Sequence, residues 1–210
     1  MDARAQTAAP ADTEAPADLA TALIHARRTV LPKRLGEPGP DAAQLQRILE
    51  AAAAAPDHGE RVPWRFTLVP RGARWRLAEA FAQALRERDA NATAEELSQA
   101  REKAFRSPVL MLASVDLGSE GDEIPPHERV LATGCALQNL MLAATGMGFG
   151  SSLTSGQAMA SRPLRSLFGL GEREQALCFL NIGTVESHRK PRPRPAVEQY
   201  LRTLADNESR

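Results

Sequence analysis

Four short stretches of this chain carry side chains that could hold an anion or a planar ligand. In Arg27-Arg28-Thr29 two guanidiniums and a hydroxyl stand side by side. A guanidinium offers planar, paired donors to phosphate or carbonyl oxygens. The same arginines could equally complement the negative pole of a helix end. Ala55-Pro56-Asp57-His58-Gly59 stops a helix and presents a histidine in a polar turn, and Pro63-Trp64-Arg65-Phe66 then leads into a strand. His58 could donate to a ligand while Trp64 walls a pocket; a capped helix end beside a core tryptophan is the plainer reading. Gly148-Phe149-Gly150-Ser151-Ser152-Leu153-Thr154-Ser155-Gly156 combines close backbone approach with hydroxyl donors. Arg189-Lys190-Pro191-Arg192-Pro193-Arg194-Pro195 could clamp a phosphate. It could also be a solvated basic tail, or an extended proline-rich segment for a partner domain.

What is missing narrows the chemistry. The glycine stretch is not a dinucleotide fingerprint, because Leu153 stands where its third glycine would be, and no Gly-Lys-Ser/Thr phosphate loop occurs. There is no His-Glu-x-x-His, Cys-x-x-Cys or Gly-x-Ser-x-Gly. Asp122-Glu123 falls in an expected exposed loop and is a poor acid/base pair. Cys135 and Cys178, the only cysteines, lie in apolar runs without metal-ligand spacing and read as reduced, buried thiols. Anion clamps and donors without a nucleophile or metal site suit a protein whose bound cofactor carries the chemistry.

The elements that must position these groups follow from periodicity. The first helix is expected over 18–28, with Leu19, Leu23 and Ile24 on one face. Leu35–Pro40 reads as a loop. Asp41 and Gln44 open a second helix with a capping box, and Thr93 and Glu96 open the fourth in the same way. Arg65–Val69 and Pro108–Val115 read as strands, with a third helix over Arg74–Arg88 between them. Pro126–Thr145 is the longest helix, apolar almost all round and hence expected to be buried. A short strand follows in the glycine stretch. Ser161, Pro163 and Gly169 frame a short helix, and Ala176–Thr184 is the last clear strand. Two initial helices and a buried central one do not suit a doubly wound sheet. The expected class is α+β, with helices packed around one sheet.

The chain has 210 residues, of which 43% are apolar and 25% charged, enough for one full core. Its net charge of zero argues against a protein that coats nucleic acid. Residues 1–20 carry one positive and four negative charges, so the remainder is at +3. The expected organisation is a disordered acidic Ala/Pro-rich tail over 1–17 and one domain over 18–205. No apolar run approaches a membrane span, and the N-terminus lacks the apolar core of a secretory signal, so the expected compartment is the reducing cytosol.

Taken in order and spacing, these pieces resemble the nitroreductase family of FMN-dependent oxidoreductases, in particular its small bacterial NAD(P)H enzymes. The resemblance runs from about Leu19 to Tyr200. It is carried by Arg27-Arg28, Arg34-Leu35-Gly36-Glu37-Pro38, Ala55–Gly59 with Pro63–Phe66, Gly146–Gly150 and Gly183-Thr184. It implies an α+β sandwich, with a central, mostly antiparallel sheet surrounded by helices, in an intertwined homodimer with two FMN molecules at the interface. Arg27, Arg28 and Thr29 match the segment that binds FMN from one chain, and His58 the position that reaches it from the other. Ala54 falls where relatives can carry a longer side chain. Leu153, Thr154 and Ser155 match a flavin-contacting segment, and Arg192 or Arg194 would hold the phosphate. Ala143, Ala144, Thr145, Gly146, Met147 and Gly148 overlap a segment associated with nicotinamide binding. The implied activity is ping-pong transfer of hydride from NAD(P)H through flavin N5 to an electron-poor acceptor such as a nitroaromatic or quinone, with His58 a candidate proton donor. Reductive dehalogenation on the same scaffold, or a flavin-binding redox sensor without turnover, are the alternatives. Thr29 stands where serine is usual, two extra residues lie between Arg28 and Arg34, and Leu153 and Thr154 replace an aromatic residue and an arginine. Those last two changes bear on substrate preference more than on flavin binding.

Overall fold

The computed structural model describes residues 14–187 and 193–204. Among them one antiparallel sheet is covered on both faces. Helices α1 (Glu14–Ala26), α2 (Ala42–Glu50), α3 (Arg74–Arg88), α4 (Ala94–Glu102), α5 (Pro126–Gly146) and α6 (Arg162–Phe168) alternate with strands β1 (Leu35–Gly36), β2 (Trp64–Leu68), β3 (Val109–Asp116), β4 (Gly150–Thr154) and β5 (Glu174–Val185). β5 is the hub, since β1, β3 and β4 all pair with it and β2 pairs with β3. The α+β expectation holds.

Side-chain alternation explains the two layers. On one face Met111, Leu180 and Ile182 pack with Leu140 of α5 and Ile48 of α2. On the other, Leu110, Leu112 and Phe179 pack with Leu77 of α3 and Leu164 of α6. Residues Val109–Val115 are therefore buried throughout, and the strand reads as a continuous apolar run rather than an alternating one. Between Ala113 and Ser114 the ladder shifts so that Leu177 has no opposite residue. This bulge turns Ala176 to the same face as Phe179.

Caps set the helix boundaries. Asp41 and Gln44, and likewise Thr93 and Glu96, exchange side-chain and backbone hydrogen bonds as reciprocal boxes. Ser161 caps α6, and Gly169, at φ 62°, ends it in the left-handed region that glycine enters freely.

Three expectations need correction. α1 begins at Glu14, so residues 14–17 are its first turn rather than tail; residues 1–13 lie outside those described. Leu35–Gly36 is not loop but a two-residue strand, held by pairing with Val185 and Thr184. α5 is not buried all round, because Leu131 is 68% exposed and Val130 is also open in the single chain. Leu19 and Ile24 of α1 are exposed as well. Among the described residues no helix is long and apolar enough to cross a membrane.

Candidate functional site

The chain leaves α1 and runs alongside β4. Thr29 bridges Ser151 in parallel, and the Val30 amide donates to the Ser151 carbonyl at 3.0 Å. This contact fixes Arg27 and Arg28 just beyond the sheet edge. Arg28 Nη1 donates to the Arg27 carbonyl at 3.0 Å and to that of His25. From the far end of the chain, Arg194 Nη2 donates to the same Arg27 carbonyl at 3.0 Å. Burial lowers the Arg27 pKa, and the neighbouring Arg194 and Arg28 charges lower it further. Among the described residues no carboxylate lies within ion-pair distance of these three arginines. Three converging cations repel one another unless an anion joins them.

Two polar groups beside this cluster also lack partners. Ser151 and Ser152 are 1% and 2% exposed, and neither hydroxyl makes a hydrogen bond. Buried hydroxyls normally find one. Cross-strand pairing separates them, with Ser151 opposite Ile182 and Ser152 opposite Asn181.

At the other end of β4, Thr154 and Ser155 line a cavity of about 560 Å³ between this strand and α3–α4. That volume is in the usual range for a small-molecule site, roughly 300–1,000 Å³. A buried polar pair props its wall. Ser107 Oγ donates to Asn181 Oδ1 at 3.0 Å, and Asn181 Nδ2 donates to Thr154 Oγ1 at 3.1 Å. Leu153 pairs with Leu180 and is 38% exposed, so its side chain is turned to the opposite face of the sheet from Thr154.

His58 and Ala54 lie elsewhere in the chain. Ala54 is exposed at the end of the 3₁₀ turn Ala51–Ala54. His58 sits in an exposed turn, and its Nδ1 is 2.8 Å from Glu128 Oε2 in the first turn of α5. The turn is strained, because Glu60 and the β-branched Val62 adopt φ of 52° and 46°. The Val62 amide donates to Asp57 Oδ2 at 2.6 Å and holds it closed. Ala53, Ala55, Asp57 and Trp64 border a separate open groove of about 710 Å³. Neither His58 nor Ala54 joins Thr154 around the cavity within one chain.

Of the 143–148 stretch, Ala144 is fully buried in the core, so its side chain is closed to any ligand. Ala143, Thr145 and Met147 are half-buried, and Gly146 and Gly148 are exposed. Arg192 lies outside the described residues. Asn181, Ser107 and Glu128 were not anticipated. Asn181 had a signal, being the one amide in the apolar run Ala176–Thr184. Glu128 had none, since its partner is 70 positions away.

The family model described as Nitroreductase family matches residues 24–184. YdjA of Escherichia coli strain K12, which carries the provisional name NAD(P)H nitroreductase, is 33% identical over 172 residues, 80% of this chain and 92% of that protein. A similarly named protein of Haemophilus influenzae is 34% identical over 152 residues, 72% of this chain and 82% of that one. Among solved structures, a nitroreductase-like protein of Bacillus cereus superposes with a TM-score of 0.74 at 20% identity, covering 95% of this chain and 99% of its own. A mutant of NfnB, described as an FMN- and NADPH-dependent nitroreductase from Sphigopyxis sp. strain HMH, gives 0.69 at 24% identity, covering 89% and 99%.

Proposed function

The chain belongs to the nitroreductase family, and we propose that within it this protein is an FMN-dependent oxidoreductase that takes electrons from NAD(P)H and delivers them to an electron-poor small molecule. One observation carries the reading: Arg27, Arg28 and Arg194 converge from opposite ends of the chain with no acidic partner among the described residues. They converge on the strand whose far end opens on a cavity.

FMN suits that arrangement. A phosphate dianion would neutralise the three guanidiniums, with charge-assisted bonds that are stronger than neutral ones. Arg27 and Arg194 would hold it, with Arg28 on its exposed side. Thr154 and Ser155 offer hydroxyls, and Ser155 an exposed turn, for the polar edge of the ring. When bound, FMN supplies hydride chemistry that no side chain of this protein can.

The protein's own share is binding, orientation and the handling of one proton. Asn181 and Ser107 hold Thr154 in place from behind. His58 has its Nδ1 on Glu128, which leaves Nε2 as the ring nitrogen that could pass a proton to a ligand. In a homodimer, His58 and Ala54 of one protomer would meet the site of the other. The exposed Leu19, Ile24, Val130 and Leu131 are apolar surface that such a dimer would cover.

The reading is tested by loading the purified protein with FMN and adding NADPH without oxygen. Loss of the visible flavin bands, and their return with a nitroaromatic, supports it. Bands that persist mean a flavin binder without turnover. Sedimentation of the same sample tests the dimer.

A further inference from the structure

The cavity beyond Thr154 carries a charge pattern that says which acceptors fit. Its inner wall is apolar and aromatic. Phe81 and Phe179 meet edge to face with centroids 5.6 Å apart, and Met159 and Leu110 complete the wall. Its mouth is cationic. Arg88, Lys103 and Arg106 line it from the end of α3 and from the turn that follows α4. All three are exposed, and among the described residues none lies within ion-pair distance of a carboxylate.

One acid lines the same mouth, Glu96. Its carboxylate is already engaged, because it accepts from the Thr93 amide and the Thr93 hydroxyl at 2.9 Å each. The nearby acid Glu79 is taken by Arg101, in two bonds at 2.7 and 3.3 Å. Three cations and one occupied carboxylate leave the mouth with an excess of two positive charges. Arg88 has a partial outlet in the negative pole of its own helix. Lys103 and Arg106 follow α4 in a turn and have less.

We propose that this cavity selects aromatic monoanions, an aryl carboxylate foremost, with the ring against Phe81, Phe179 and Met159 and the carboxylate at Lys103 and Arg106. Aromatic rings gain from edge-to-face contact beyond simple burial. The cations steer and select an anion at a partly screened mouth. The proposal deepens the functional reading by naming an acceptor class, such as nitrobenzoates. It rests on that reading for the ligand's reduction but not for its binding.

The experiment is calorimetric titration of the full-length protein, as purified, with 4-nitrobenzoate and with its neutral isostere 4-nitrobenzamide. The anion is expected to bind about tenfold more tightly at low salt. That preference should shrink several-fold between about 0.05 and 0.5 M NaCl, as mouth charges are screened. In the Lys103→Gln/Arg106→Gln double variant, whose fold is checked by circular dichroism, the two ligands should bind within about twofold of each other. Equal binding of both ligands to the unaltered protein overturns the proposal, as does a preference that survives high salt or the double variant. Anion binding with no NADPH-driven reduction keeps this proposal and removes the oxidoreductase reading. Reduction of both compounds with no binding preference does the reverse.

Discussion

Arg194 Nη2 donates to the main-chain carbonyl of Arg27 at 3.0 Å, joining two segments 167 positions apart. Two cations thus meet at the end of β4, and each lowers the cost of binding an anion there. Arg27→Gln and Arg194→Gln are each expected to weaken FMN binding about tenfold or more, since bonds to charged groups are the stronger kind. Because both act on one ligand, the double variant should lose less than the product of the two. Quenching of FMN fluorescence on titration with protein measures all four constants. Unchanged affinity in both single variants would remove the phosphate from this cluster.

Arg74 is 3% exposed and donates to the carbonyls of Val69, Ala104, Ser107 and Pro108 at 3.3, 3.2, 2.5 and 2.7 Å. Burial lowers its pKa, yet a guanidinium remains charged at any ordinary pH. It stitches the segment after α4 to the start of α3, and so fixes one wall of the cavity. Arg74→Met leaves those carbonyls without a donor and should destabilise the fold by about 3 kcal/mol. Urea denaturation checks this; a loss under about 1 kcal/mol would mean that water replaces the guanidinium.

Gly183 marks a close approach of three segments. A Cβ there would stand 2.7 Å from Pro108 Cδ and 3.0 Å from the Gly36 carbonyl oxygen. The second neighbour is backbone of β1 and cannot swing aside. Gly183→Ala should therefore cost about 1–3 kcal/mol by overpacking. Gly72, with nothing within 4 Å of its would-be Cβ, is the control. A thermal melt of both variants should show a drop for the first alone.

The Cys178 thiol is pushed up to about 11 by burial. Only roughly one molecule in a thousand is then thiolate at pH 8, and thiolate is the reactive form. A raised pKa favours the protonated state in the fold, so Cys178 stays inert below that value. In the native protein at pH 8, iodoacetamide should label Cys135, which is half-buried, ahead of Cys178. Mass spectrometry of tryptic peptides reads the order. Cys178 labelling at the rate of an exposed thiol would show that its strand opens.

The two kinds of information were unequally visible in the sequence. Local chemistry was plain: the capping pairs Asp41–Gln44 and Thr93–Glu96, the Ser161 cap and the Gly169 stop each act within a few residues. Pairing over distance was not. Leu35–Gly36 is a strand only because Val185 and Thr184 lie beside it, and nothing in the residues themselves says so. In the site, Arg27, Arg28, Thr154 and Ser155 stood out by type, and Arg194 by its basic run. Their grouping at opposite ends of β4 came from the Thr29–Ser151 bridge, which has no local signature. The unmatched exposure of Leu131 was equally invisible, since a helix that is apolar all round reads as buried whether its cover is its own chain or another.

The central claim is that the arginine cluster holds FMN for electron transfer, and one spectrum tests it most directly. The purified protein is loaded with FMN, freed of excess cofactor, and mixed with NADPH under argon while its visible absorbance is followed. The account predicts flavin bands that travel with the protein, bleach with NADPH and return on adding a nitroaromatic, and that are lost on gel filtration of the Arg27→Gln/Arg194→Gln double variant. A protein that emerges colourless, or a double variant that keeps its flavin, contradicts it.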